Sequence, residues 1–138
     1  MIRLKQVVFA LCAALIAATS FAHGGPVNAI VSPVMTKALS DYPGKEAEMI
    51  TVEYPPGAQD PVHRHNAHGF IYVLEGSIIM QVKGGKEVTL SSGQSFYEGP
   101  ADVHTVGRNA SKTKPAKFLV LLLKEKGAPI FIPEPGGH

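Results

Sequence analysis

The sequence predicts an all-β chain closed into a small barrel or sandwich, and three observations predict it. Short β-rich runs recur at regular intervals from residue 34 to residue 124, separated by Gly, Pro, Asn and Asp clusters. Ile78, Met80 and Val82 alternate with Ser77, Ile79 and Gln81, the period of a strand with one face buried. Beyond residue 22 no stretch carries a helical apolar period with capping residues at its ends.

The elements follow in order. Val34–Leu39 reads as a first strand, and Asp41-Tyr42-Pro43-Gly44 as the turn that ends it. Met49–Tyr54 is β-rich and stops at Pro55-Pro56-Gly57. Val62–Asn66, Phe70–Leu74 and Ile78–Lys83 come next, and Gly84-Gly85 reads as a two-residue hairpin turn before Glu87–Leu90. Ser95–Glu98, Val103–Val106 and Phe118–Lys124 complete the set. Phe70, Tyr72 and Leu74 share one strand face and are expected in the core or at a contact between subunits. The tail 125–138, with Pro133, Pro135 and Gly136-Gly137, reads as a loose arm whose Ile130, Phe131 and Ile132 could pack on a neighbouring subunit.

The first 22 residues read differently. Arg3 and Lys5 precede an apolar run from Val7 to Ala18, and Ser20 and Ala22 flank Phe21 in the small-x-small pattern of a signal-peptide cleavage site. The run is shorter than the ~20 residues that span a bilayer. The expectation is therefore a signal peptide at 1–22, an extended arm at 23–33, a barrel at 34–124 and a periplasmic or secreted mature protein without stable membrane insertion. Cleavage would remove two of the 13 basic residues, matching the 11 acidic ones. A neutral mature chain offers no nucleic-acid footprint. It would also remove Cys12, the only cysteine, so neither a disulfide nor a thiol nucleophile belongs to the mature chain. All six histidines lie beyond the cut.

Chemistry concentrates in His63-Arg64-His65. Residues two apart on a strand share a face, so both imidazoles point one way and Arg64 the other. Two buried imidazoles are costly unless partnered, and a divalent ion partners them directly. His104, after the turn Gly99-Pro100-Ala101-Asp102, is the candidate third ligand.

Taken together these residues resemble the cupin superfamily. Gly57, five residues, His63-x-His65 and a closing Gly76 match its first motif; Gly93, His104 and Asn109 match its second, with Pro100 and Asn109 each displaced by one position. The resemblance implies a double-stranded β-helix, jelly-roll-like, of two facing antiparallel sheets, with a metal near the barrel mouth and homodimers common. The chain departs from the motif at Gly69, which stands where the family carries a glutamate ligand. That departure resembles the three-histidine cupins, among them thiol dioxygenases and a diketone-cleaving dioxygenase. His68, Glu98, or water and substrate at open positions are the candidate replacements. His68 should face away from the cavity by strand alternation. Glu98 is the candidate catalytic group, as a ligand or as an acceptor for an imidazole N–H.

Three neutral ligands would leave the ion its full charge, which favours a small anionic chelating substrate. The leading expectation is an exported metal-dependent oxidoreductase, dioxygenase-like, using Fe(II), with Mn, Zn, Ni or Cu as the other candidate ions. The alternative is a non-catalytic barrel that binds a small ligand or metal. A third class, isomerase chemistry, would need an acid/base group such as Glu98 or a tyrosine in the cavity.

Overall fold

A computed structural model describes residues 27–135. The segment read as a signal peptide, with His23 and His138, lies outside the described residues. Among the described residues there is no helix, and none is long and apolar enough to cross a membrane. Ten strands form: β1 Ile30–Ala38, β2 Lys45–Tyr54, β3 His63–Arg64, β4 His68–Glu75, β5 Ser77–Val82, β6 Val88–Ser91, β7 Ser95–Glu98, β8 His104–Asn109, β9 Ala116–Glu125 and β10 Ile132–Pro133. They make two five-stranded sheets, β1-β2-β9-β4-β7 and β10-β3-β8-β5-β6. Every pairing is antiparallel.

Alternation decides what each sheet turns inward. Along β9, Ala116, Phe118, Val120 and Leu122 are buried while Lys117, Leu119, Leu121 and Leu123 are only partly so. Ile50, Val52 and Tyr54 of β2 and Ile71 and Val73 of β4 join the same inner face. Ile78 and Met80 of β5 oppose them from the second sheet. This apolar layer between two sheets drives the fold. At one end of β9, buried Lys124 donates to Glu46 at 2.6 Å and to the Ala128 carbonyl at 2.7 Å, with Glu48 at 3.0 Å, so its charge is fully matched.

Several boundaries differ from the sequence reading, each for a local reason. β1 begins at Ile30 because it pairs along β2, from Ile30↔Glu53 to Ala38↔Glu46, and a register shift between Pro33 and Met35 absorbs the proline on this edge strand. β2 begins four residues before Met49, since Lys45 through Tyr54 pair without interruption with Glu125 through Ala116. The Gly84-Gly85 turn is instead a longer connection from β5 to β6, in which Gly85 N–H donates to Val82 C=O and Gly84 has φ 81°. The tail is partly ordered: β10 pairs Ile132 with Arg64 and Pro133 with His63. At Gly76 (φ 72°) a Cβ would lie 2.6 Å from the Pro115 carbonyl oxygen, so this turn admits only glycine.

Candidate metal centre

Two cross-strand pairs, one on each sheet, build the site. On the second sheet His63 of β3 pairs with His104, the first residue of β8. On the first sheet Gly69 of β4 pairs with Glu98, the last residue of β7. Just after β3, Asn66 takes φ 47°, a left-handed turn that asparagine tolerates, and it swings the chain from the histidine pair into β4. The expected alternation holds: His63 is buried, and Arg64 points away towards Glu134, Nε to Oε1 at 2.8 Å.

The ring nitrogens converge. His63, His65 and His104 offer one nitrogen each, all within 4.8 Å of one another. His63 Nδ1–H donates to the Pro61 carbonyl at 2.8 Å, and His65 Nδ1–H donates to the Ile130 carbonyl. Those two bonds leave Nε2 of each ring as the lone-pair atom, and the two Nε2 atoms sit 3.2 Å apart. Ligands about 2.1 Å from a shared ion are separated by about 3.0–3.4 Å. His104 is 4% exposed, and neither of its ring nitrogens has a hydrogen-bond partner. Buried imidazole nitrogens normally find partners. Orphaned nitrogens beside two facing lone pairs are what a cation would satisfy, so the residues fit a divalent ion.

Glu98 reaches this cluster from the opposite sheet. Its Oε1 is 3.1 Å from His65 Nε2 and its Oε2 is 3.5 Å from His104 Nδ1. A Cβ on Gly69 would lie 2.9 Å from Glu98 Cγ, so the Glu98 side chain fills the room that a side chain at position 69 would need. His68 is elsewhere: it is exposed, and its Nδ1 accepts from the Tyr97 hydroxyl at 2.8 Å on the outer face.

Electrostatics follow the packing. Burial pushes the Glu98 carboxyl up, but the hydrogen bond from His65 and the surrounding imidazoles outweigh it and hold Glu98 below the usual carboxylate range. Burial also works against charge on His65, yet bonding and attraction to Glu98 raise its pKa above the ordinary imidazole value. His63 and His104 are pushed down, chiefly by burial. In the absence of an ion, His65 beside Glu98 is the histidine of the three on which a proton is favoured.

The cluster opens onto a cavity of about 260 Å³. Ile50, Val52, Ile71, Met80, Phe118 and Val120 form most of its wall. Asn28, Ala29 and Val31 from the N-terminal side and Ile130 and Phe131 from the C-terminal side complete it. The Phe131 ring stacks on His63 at 4.6 Å and 24°. Tyr54 and Asp60 also line the cavity, bonded to each other through the phenol hydroxyl and Asp60 Oδ2. Burial raises both their pKa values, which disfavours the charged form of each.

The sequence profile of the family described as "Cupin domain" matches residues 50–122, more than half of the chain. The chain belongs to the cupin family. A search of curated proteins finds no match. Among solved structures, this cupin is similar to an uncharacterized conserved protein with a double-stranded β-helix domain from Klebsiella pneumoniae, at 18% identity and TM-score 0.61, covering 80% of this chain and 89% of that one. It is also similar to an oxalate oxidase in complex with glycolate (20%, TM-score 0.60, 79% and 56%) and to the DMSP lyase DddQ from Ruegeria pomeroyi (22%, TM-score 0.58, 67% and 45%). The cupin spans about half the length of these last two chains. At such identities the likeness establishes the fold.

The sequence pointed to the three histidines and Glu98, and the fold brings them together. It did not point to Asp60, the Pro61 and Ile130 carbonyls or Phe131. Asp60 and Pro61, three and two residues before His63, were within reach of a local reading. Ile130 and Phe131 were not, because their role depends on β10 pairing with β3. The second-motif Asn109 turns out to be structural: its Nδ2 donates to the carbonyls of Tyr54 at 2.9 Å and Lys114 at 2.8 Å, which clamps β8 against the end of β2.

Proposed function

We propose that this cupin is an exported metal-dependent oxidoreductase, dioxygenase-like, acting on a small anionic molecule. The observation that carries the reading is the convergence of three ring nitrogens, those of His104 without partners, on a largely apolar cavity. His63, His65 and His104 would hold the ion, with Fe(II) favoured and Mn, Zn, Ni or Cu able to occupy the same donors. When bound, such an ion supplies Lewis acidity and, for iron or manganese, one-electron redox chemistry.

The chain's own residues do the rest. The carbonyls of Pro61 and Ile130 fix the tautomers of His63 and His65, so both present Nε2. Glu98 takes the part of the carboxylate missing at Gly69 and reduces the charge of the centre by one. Its Oε1 also lies within hydrogen-bond reach of His65 Nε2, at 3.1 Å. The largely apolar wall lowers the polarity around the reacting groups. Tyr54 and Asp60, hydrogen-bonded to each other, add a second polar pair beside His104 on the cavity wall. Two fold neighbours, the oxalate oxidase and the DMSP lyase, are named for chemistry on small molecules, which supports a substrate of that size.

The same reading makes the protein a homodimer through the outer face of the first sheet. Met35, Met49, Leu121, Phe70 and Tyr97 pair in one row across all five strands, and Phe70 and Tyr97 are 46% and 49% exposed. A row of this kind is expected to be covered, and a symmetric copy covers it with the same residues.

The test is anaerobic reconstitution with Fe(II), followed by O₂ consumption with small thiols, enols and hydroxy-carboxylates. Substrate-dependent uptake that disappears in His104→Ala supports the oxidoreductase. Full metal loading with no uptake across the panel leaves the non-catalytic binding barrel.

A further inference from the structure

The wall of the cavity limits what the proposed metal centre can accept. Its ionisable groups form one cluster: the three histidines and Glu98, with Tyr54 and Asp60 beside them. Most of the rest is hydrocarbon and aromatic, from Ile50, Val52, Ile71, Phe118, Val120 and Phe131, with the uncharged amides of Asn28 and Gln59 as the other polar side chains. Neither lysine nor arginine lines it among the described residues. Arg64 faces Glu134 on the outside, and Lys124 is held by Glu46 and Glu48 beyond the cavity.

Charge balance follows. A divalent ion on three neutral imidazoles carries two positive charges, and Glu98 removes one. One further negative charge, on the chelating head of a substrate, brings the buried centre to neutrality. A second carboxylate on the substrate would meet no lysine or arginine there: beside the apolar wall lie the acids Glu98 and Asp60 and only the uncharged amides of Asn28 and Gln59. An unpaired buried charge is among the costliest things a cavity can hold. A hydrocarbon body in the same place would gain from burial.

We infer that the substrate is a monoanionic chelator with an apolar body, and that compact dicarboxylates are excluded. The inference rests on the proposed metal centre and adds the identity of what fills the remainder of the cavity.

Isothermal titration of the Co(II)-loaded full-length mature chain tests it, because binding is read without turnover. The probes share one α-keto-carboxylate head: pyruvate, α-ketobutyrate, α-ketovalerate and α-ketoglutarate. The last two differ only in whether the chain ends in a methyl or a carboxylate. Affinity is expected to rise about fourfold with each added methylene, the gain from burying one CH₂. α-Ketovalerate should bind roughly tenfold or more tightly than α-ketoglutarate, given the cost of an unpaired buried charge. Equal or tighter binding of α-ketoglutarate, or no dependence on chain length, overturns the inference while leaving the metal centre standing. Failure to load Co(II) overturns the metal centre and the inference with it.

Discussion

At the residue scale the site turns on one exchange. The family's first motif normally supplies a carboxylate from β4, and here that position is Gly69. Its direct partner across the β4–β7 ladder is Glu98, whose side chain enters the space a residue at 69 would occupy. Glu98→Gln is expected to weaken metal binding by about 10–100-fold, the range for groups that orient or charge-balance ligands, measured by competition with a chromophoric chelator. Gly69→Glu, introduced with Glu98→Ala, is expected to restore most of the affinity, because the carboxylate returns to β4 and the clash with Glu98 Cγ is gone. Gly69→Glu alone should be unstable, with the clash in place. No recovery in the double variant would mean that Glu98 acts from where it stands rather than as a replacement.

The pH dependence belongs at the same scale. Metal binds neutral imidazole, so a proton competes below the pKa of each ligand. Burial lowers His63 and His104 below the ordinary value of 6.5, so they resist protonation until more acid conditions. Glu98 raises His65 above 6.5, so His65 is protonated first as pH falls. Affinity should begin to fall above pH 6.5 with a slope of one proton, and steepen only at lower pH. In Glu98→Gln the onset should move to lower pH although the affinity is weaker throughout. A three-proton slope from the outset would contradict the assigned roles.

At the element scale, most strands were legible because their physics is local. The 78–82 alternation, the turn residues and the paired histidines all express the two-residue period of a strand. What could not be read depended on distant pairing. β10 holds only Ile132 and Pro133, too few for any periodic signal, and it exists because Arg64 and His63 offer a free edge. Likewise β1 carries Pro33, which reads as a break until β2 is present to set its register. β10 brings the Ile130 carbonyl to His65 and the Phe131 ring to His63. Truncation after Ala128 is therefore expected to leave the barrel folded by circular dichroism yet speed metal dissociation by about tenfold or more. An unchanged off-rate would make the strand an ornament of the fold.

At the scale of the whole molecule, burial and exposure divide the first sheet. Its inner face makes the cavity, and its outer face presents Phe70, Tyr72, Leu74 and Tyr97. The sequence reading placed Phe70, Tyr72 and Leu74 on one face, and that face is the outer one. Its inward neighbours Ile71 and Val73 are the core residues. Sedimentation equilibrium of the mature chain should return a dimer, and Phe70→Lys should return a folded monomer that still binds metal. A monomeric wild type would leave the outer row without its proposed partner. Metal and fold should also be coupled, since an ion at about 1,000 times its Kd adds about 4 kcal/mol to a native state that alone can bind it.

The most direct measurement is the metal content of the mature protein purified from its own compartment, beside a His63→Ala/His65→Ala variant. One equivalent of a divalent metal is expected, iron or manganese in the working enzyme, and none in the variant. Absence of metal in the wild type, with no uptake when Fe(II), Mn(II) or Zn(II) is offered, would contradict the proposed metal centre.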